Sequence, residues 1–172
     1  MELVPATDAD LAAVALLVNS AYRGDSSRQG WASEADALGG QRTDAQILEK
    51  DLAAKPGAVL LLHREGSVLL GCVWLERAAT GTWYLGMLTV RPDLQDRSLG
   101  REMLAAAEAY AVARGGTRIE MTVISIRDTL IAWYERRGYA VTGETRPFPY
   151  EDEKFGIPLR DDLEFLVMAK AL

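Results

Sequence analysis

The chain holds one cysteine and one histidine in 172 residues, and this scarcity removes several classes of chemistry. Cys72 sits in the apolar run Leu69-Leu70-Gly71-Cys72-Val73-Trp74, so neither an intrachain disulfide nor a thiolate metal cluster can be built, and a reducing cytoplasm is the expected compartment. His63 ends an apolar stretch with no serine or second metal ligand at useful spacing, so histidine-based triads and zinc sites are not expected, nor is any other metal. Long apolar runs are missing too. No stretch reaches the roughly 20 residues needed to cross a bilayer, and no basic segment leads into an apolar signal core, so a soluble, non-exported protein without a membrane partner is expected. Positive charge is in deficit: the formal net charge of -6 repels phosphate backbones and argues against a nucleic-acid partner. Internal repeats and low-complexity tracts are absent as well.

What is present suffices for one core. A 49% hydrophobic content over this length predicts a single domain spanning residues 1–172. Charge is unevenly placed. Arginines gather at Arg91, Arg97 and Arg101 and again at Arg127, Arg136 and Arg137, whereas acids crowd 151–153 and 161–164. A small anion therefore has two basic clusters to approach, and an amine has an acidic segment that could attract it.

Local patterns order the chain. Residues 2–6 read as a first strand, after which Thr7 and Asp10 form a capping box and Leu11, Val14, Leu17 and Val18 give a helix its apolar stripe. The stretch 22–42, with Arg28, Trp31, Glu34 and Asp36, reads as a loop or broken helix, and a second helix covers about 44–54. Three β-rich runs follow at 58–63, 68–76 and 82–90, predicting an antiparallel meander. A helix over 98–114, a strand over 118–123, a helix over about 128–137, and strands at 139–143 and 163–169 complete the order. The class this implies is α/β with a central sheet.

The chemistry concentrates between Leu85 and Arg101, where a strand leaves through Val90-Arg91-Pro92 into a small-residue loop and then a helix. The first turn of a helix carries unpaired N–H groups and partial positive charge, so such a loop can wrap a pyrophosphate, with Arg97 and Arg101 adding charge-assisted contacts. The segment Gln95-Asp96-Arg97-Ser98-Leu99-Gly100 resembles the acyl-coenzyme A signature of the GNAT superfamily of N-acyltransferases: Gln or Arg, two residues, Gly, one residue, Gly or Ala. Ser98 departs from it. Serine keeps the site small but is disfavoured at positive φ, which predicts a slightly displaced loop. A second resemblance lies in Ile131-Ala132-Trp133-Tyr134-Glu135-Arg136-Arg137-Gly138-Tyr139, similar to the family's aromatic-bearing helix ending in Gly-Phe or Gly-Tyr. The two motifs and the strand order cover roughly positions 58–145.

The resemblance implies a single-domain GNAT fold, with a central mixed, mostly antiparallel twisted sheet flanked by about four helices. It implies acetyl-coenzyme A as co-substrate and a small-molecule amine as acceptor, attacked directly on the thioester. Leu88 and Val90 would bind through main-chain atoms, the Leu88 N–H polarising the acyl carbonyl. Gln95, Asp96, Arg97, Ser98, Leu99, Gly100 and Arg101 would hold the diphosphate, and Tyr134 would lie beside the coenzyme sulfur and protonate the departing thiolate. Where the family often has an asparagine touching the coenzyme this chain has Arg127, which could instead reach a phosphate, as could Arg137. Tyr84 stands where some members carry a catalytic glutamate. A base is therefore sought among Glu34, Asp36 and the acids at 151–153, while Trp31, Trp83 and Phe148 could line the acceptor pocket. The acidic loop at 151–162 points toward a cationic acceptor. Relatives of this kind are often dimers, so a homodimer stands open beside a monomer.

Two other classes compete. A domain of the same fold could bind an acyl-coenzyme A without turning it over, a reading kept alive by Ser98, Arg127 and the missing strand carboxylate. A dinucleotide-dependent oxidoreductase would need a repeated βαβ unit leading to a ribose-binding acid, and neither is visible.

Overall fold

A computed structural model describes residues 1–95 and 98–172, with Phe155 described in its backbone. Short β1 (Val4–Pro5) leads into a turn where the Asp10 carboxylate accepts from the Thr7 N–H and hydroxyl at 2.8 and 2.9 Å, the expected capping box. Helix α1 (Leu11–Tyr22) follows, its stripe of Leu11, Val14, Leu17 and Val18 buried. The stretch read as loop or broken helix holds a four-residue α2 (Gly24–Ser27) and a two-residue β2 (Leu38–Gly39). Helix α3 (Ala45–Ala54) starts where Asp44 Oδ1 accepts from the Ile47 N–H at 2.8 Å.

The meander is present as β3 (Val59–Glu65), β4 (Val68–Ala79) and β5 (Thr82–Val90). After it come α4 (Leu99–Val112), β6 (Arg118–Ile124), α5 (Asp128–Glu135), β7 (Ala140–Pro147), the two-residue β8 (Ile157–Pro158) and β9 (Glu164–Ala171). Helix α5 stops two residues short of the expected end because Gly138, at φ 88, lets the Tyr139 N–H turn back to the Tyr134 carbonyl.

Seven strands form one sheet in the order β1-β3-β4-β5-β6-β9-β7, antiparallel except between β5 and β6. β2 and β8 pair separately. With five helices among the described residues, this is the mixed, mostly antiparallel architecture of the single-domain GNAT fold, one short helix beyond the four expected.

Strand alternation sends side chains to two cores. One face packs Leu61, Val73, Leu85, Met121 and Val123 under α4 and α5, and the other packs Leu60, Leu62, Cys72 and Trp74 under α1 and α3. Leu60, Leu61 and Leu62 are each at most 1% exposed, so each contributes on the order of 2 kcal/mol of burial. A third cluster of Ala37, Leu38, Ile124, Phe148 and Leu163 closes the end of the sheet beyond β6.

Candidate functional site

The site begins with a defect in the sheet. β5 and β6 pair only from Thr82 to Tyr84 against Arg118 to Glu120, and past that point they separate. Opposite, on β4, Cys72 faces Thr89 while Trp74 faces Gly86, so one extra residue of β5 is accommodated, with Met87 at φ 52. This bulge bends β5 away from β6. The gap opens into a cavity of about 380 Å³. Its lining includes Leu85, Leu88, Met121, Val123 and Tyr134 from the α4/α5 face together with Tyr22, Tyr84 and Met87 from the α1/α3 face. The cavity therefore joins the two faces through the sheet.

At the α4 side lie Ser98, Gly100 and Arg101. The first intrahelical bond of α4 runs from the Glu102 N–H to the Ser98 carbonyl at 3.0 Å, which leaves the N–H groups of Leu99, Gly100 and Arg101 without helical acceptors. Ser98 adopts φ 64, the left-handed conformation expected of glycine, and its hydroxyl donates to Glu102 at 2.6 Å. A serine there carries about 1 kcal/mol of strain. Ser98→Gly is accordingly expected to raise the melting temperature by about 2 °C, the relief exceeding the loss of one exposed hydrogen bond; a fall on thermal unfolding would contradict it. Leu99 turns instead toward a shallow depression with His63, Leu70 and Leu94. Asp96 and Arg97, both read as phosphate contacts, lie outside the described residues.

Other expected contacts are rearranged. The Gln95 side chain accepts from the Trp31 and Ala32 N–H groups at 3.0 and 3.2 Å and donates to the Val90 carbonyl at 3.3 Å, tying the segment after α2 to the end of β5. The Leu88 carbonyl accepts from the Tyr22 hydroxyl at 2.5 Å. Arg127, read as a phosphate ligand, donates to Glu34 at 3.1 Å and to the Ala32 carbonyl at 2.7 Å. The anion that Arg127 meets is thus a carboxylate of the protein itself. Glu34 also pairs with the buried Arg23. Burial alone would raise the Glu34 carboxyl, but Arg127, Arg23 and Arg42 together hold it below the usual carboxylate range.

Tyr134 is 6% exposed, its ring edge-on to Trp133 at 5.0 Å and to Tyr139 at 5.6 Å. Its hydroxyl makes no hydrogen bond among the described residues, and burial, with Tyr22 nearby, pushes its pKa well above the ordinary phenol value. Arg137 stacks 3.5 Å over Trp133 and leaves its buried Nε without a hydrogen-bond partner. Burial, and then the charges of Arg136 and Arg101, weaken its hold on the proton. Two cavity-lining guanidiniums, Arg101 and Arg137, thus stand close enough to repel beside the open turn of α4.

Of the aromatics proposed for the acceptor pocket, Trp31 lines the cavity, whereas Trp83 is buried against Tyr110 and Phe148 against Phe165. Asp36 is exposed and paired with Arg28, and the acids at 151–153 are exposed and away from the lining. Tyr22 and Arg42 line the cavity and were not singled out by sequence. Both sit at the ends of the irregular stretch, where no periodicity marks a functional position.

A profile of the Acetyltransferase (GNAT) family matches residues 27–139. Among solved structures, ribosomal-protein-alanine N-acetyltransferase from Brucella melitensis superposes with a TM-score of 0.73 at 18% identity, covering 100% of both chains. YncA from Salmonella typhimurium, solved with its cofactor acetyl-CoA, gives 0.69 at 22% identity over 100% of this chain and 94% of that one. Ribosomal-protein-S18-alanine N-acetyltransferase from Escherichia coli gives 0.70 at 15% identity over 99% and 92%. A search among curated proteins finds no match. At these identities the solved structures carry the fold alone. The family match spans the splayed strands, the open turn of α4 and the helix that bears Tyr134, so the chain belongs to the GNAT family of acetyltransferases.

Proposed function

We propose that this chain transfers acetyl from acetyl-coenzyme A to the primary amine of a small molecule by direct attack. The observation that carries the reading is a cavity through the sheet with the phenol of Tyr134 inside it, unbonded among the described residues, and three N–H groups of α4 without helical acceptors at one side. The residues fit the coenzyme. The Arg137 Nε without a partner among the described residues, the nearby Arg101 and the N–H groups of Leu99, Gly100 and Arg101, which have no helical acceptors, suit a diphosphate, while Leu88 and Val90 offer a strand edge to the arm. When bound, acetyl-coenzyme A supplies a thioester whose acyl carbon accepts the amine and whose sulfur leaves as thiolate.

The protein's own groups do the rest. The Leu88 N–H polarises the acyl oxygen, and the Tyr22 hydroxyl steadies the same residue from its other side by donating to the carbonyl of the following peptide. Tyr134 keeps its proton at Oη until a thiolate develops, and a phenol with a raised pKa stays loaded throughout the neutral range. Trp31 lines the cavity with its ring centroid 5.9 Å from that of Trp133. Gln95 and Arg127 bond the backbone at Trp31 and Ala32, so they act as positioning residues.

The proton released by the amine is taken by water. Among the described residues Glu34 is the one carboxylate lining the cavity, and it is doubly ion-paired with a depressed pKa, which makes it a weak base. The expected pH profile follows: kcat/KM rises with unit slope up to the acceptor amine's own pKa and shows no decline below about pH 10 from Tyr134. A plateau set in the carboxylate range would contradict this.

Calorimetric titration with acetyl-coenzyme A, followed by thiol release over a panel of primary amines, tests the function. Micromolar-range binding and amine-dependent release are expected. Binding without release from any amine or N-terminal peptide would leave a non-catalytic acyl-coenzyme A-binding domain, and no binding would remove the assignment.

A further inference from the structure

The acceptor side of the cavity carries excess positive charge. Arg42 lines it, and its position is set from behind: Asn19 Oδ1 on α1 accepts from the Arg42 and Thr43 N–H groups at 2.5 and 3.3 Å, while Asn19 Nδ2 donates to the Thr43 carbonyl at 2.8 Å. The backbone of Arg42 is thereby anchored to α1, yet its guanidinium makes no ion pair or hydrogen bond among the described residues. The carboxylate nearby, Glu34, is already taken by Arg23 and Arg127. Among the described residues three guanidiniums stand near this one carboxylate, and Arg42 is the one with which it forms no ion pair. Arg42 is near enough to act on the Glu34 carboxyl, behind Arg127 and Arg23.

The acidic loop does not offset this. Its residues 151–153 are exposed, no described side chain of 149–163 lines the cavity, Lys154 is paired with Asp51 at 2.7 Å and Arg160 with Asp162 at 2.6 Å. The cationic acceptor suggested by that loop is thus not what the cavity selects. A buried-side guanidinium without an anion matches a planar carboxylate, to which its fork can donate two parallel hydrogen bonds. The other polar groups of this side, the Tyr84 hydroxyl, bonded to Thr122 at 3.1 Å, and the Tyr22 hydroxyl, are neutral and suit an uncharged amine.

We propose that the acceptor is an amine that also bears a carboxylate, an amino-acid-type molecule whose carboxylate is gripped by Arg42. This rests on the acyl-transfer reading above and narrows its substrate class. The cavity of about 380 Å³ must also admit the acyl end, which limits the acceptor to a small molecule.

The test pairs each of the twenty protein amino acids with its decarboxylated amine in the thiol-release assay, on wild-type protein shown by calorimetry to bind acetyl-coenzyme A. At least one amino acid is expected to be turned over with kcat/KM about 50-fold above its decarboxylated partner. Arg42→Gln is expected to erase that preference through KM, with kcat changed less than threefold, and to weaken calorimetric binding of the same amino acid to the coenzyme A-saturated protein. The Arg42 side chain makes no hydrogen bond or ion pair among the described residues, so the variant is expected to melt within about 2 °C of the wild type. Equal or better turnover of the decarboxylated amines, a preference that survives Arg42→Gln, or release with no amino acid despite acetyl-coenzyme A binding would each overturn the acceptor class. Failure to bind acetyl-coenzyme A would instead overturn the function on which it rests.

Discussion

Replacing Tyr134 by phenylalanine is expected to lower kcat by about 10²- to 10³-fold while the dissociation constant for acetyl-coenzyme A changes less than threefold. The ring of Tyr134 is wedged between Trp133 and Tyr139, and phenylalanine keeps both edge-on contacts. The hydroxyl bonds to nothing among the described residues, so its removal leaves no partner unsatisfied and the melting temperature is expected to stay within about 2 °C. What the variant lacks is the proton for the leaving thiolate. The loss is expected to shrink with an acyl donor whose thiol is more acidic, because a better leaving group needs less protonation. Unchanged turnover with acetyl-coenzyme A would remove Tyr134 from the chemistry and leave it a packing residue.

Glu34→Gln carries the largest expected effect on stability. The carboxylate stands between Arg23, whose side chain is 4% exposed, and Arg127, at 10%. Removing its charge takes a carboxylate partner from two nearly buried guanidiniums, a loss on the order of 3 kcal/mol, or about 6–12 °C in melting temperature for a chain of this size. The pH dependence has a definite sign. The folded-state pKa of Glu34 is depressed, so its contribution is fully present above the ordinary carboxylate value of 4.5 and is lost as pH falls through the lower folded value. The gap between wild type and Glu34→Gln is therefore expected to be constant at neutral pH and to close below about pH 4. A gap that persists in acid would place the effect in shape rather than charge. Because Arg127 opens α5 and Tyr134 lies on that helix, the variant is also expected to lose turnover.

Legibility followed the range of the interactions. The capping box at Thr7, the apolar stripe of α1, the meander and the stops of α4 and α5 are written in neighbouring residues, and each formed within about three residues of its expected place. Resemblance to the family's signature marked Gln95 to Gly100, and Ser98 took the left-handed conformation that the glycine of that pattern suits. The bulge at Met87 had no such mark. It depends on how β4 and β5 come into register, which neither strand states by itself.

Charge was the least legible feature. Arg127 read as a phosphate ligand because basic residues cluster in sequence near it, but its partner, Glu34, lies 93 positions away. The acids at 151–153 read as an attraction for an amine, yet the fold leaves them in solvent, away from the cavity. Composition and local pattern thus determined the fold class, the family's two motifs and the exclusion of disulfide and histidine chemistry. The tertiary structure alone decided which charges meet. Coulomb energies depend on distance and burial, and in an irregular segment such as 22–42 neither follows from position along the chain.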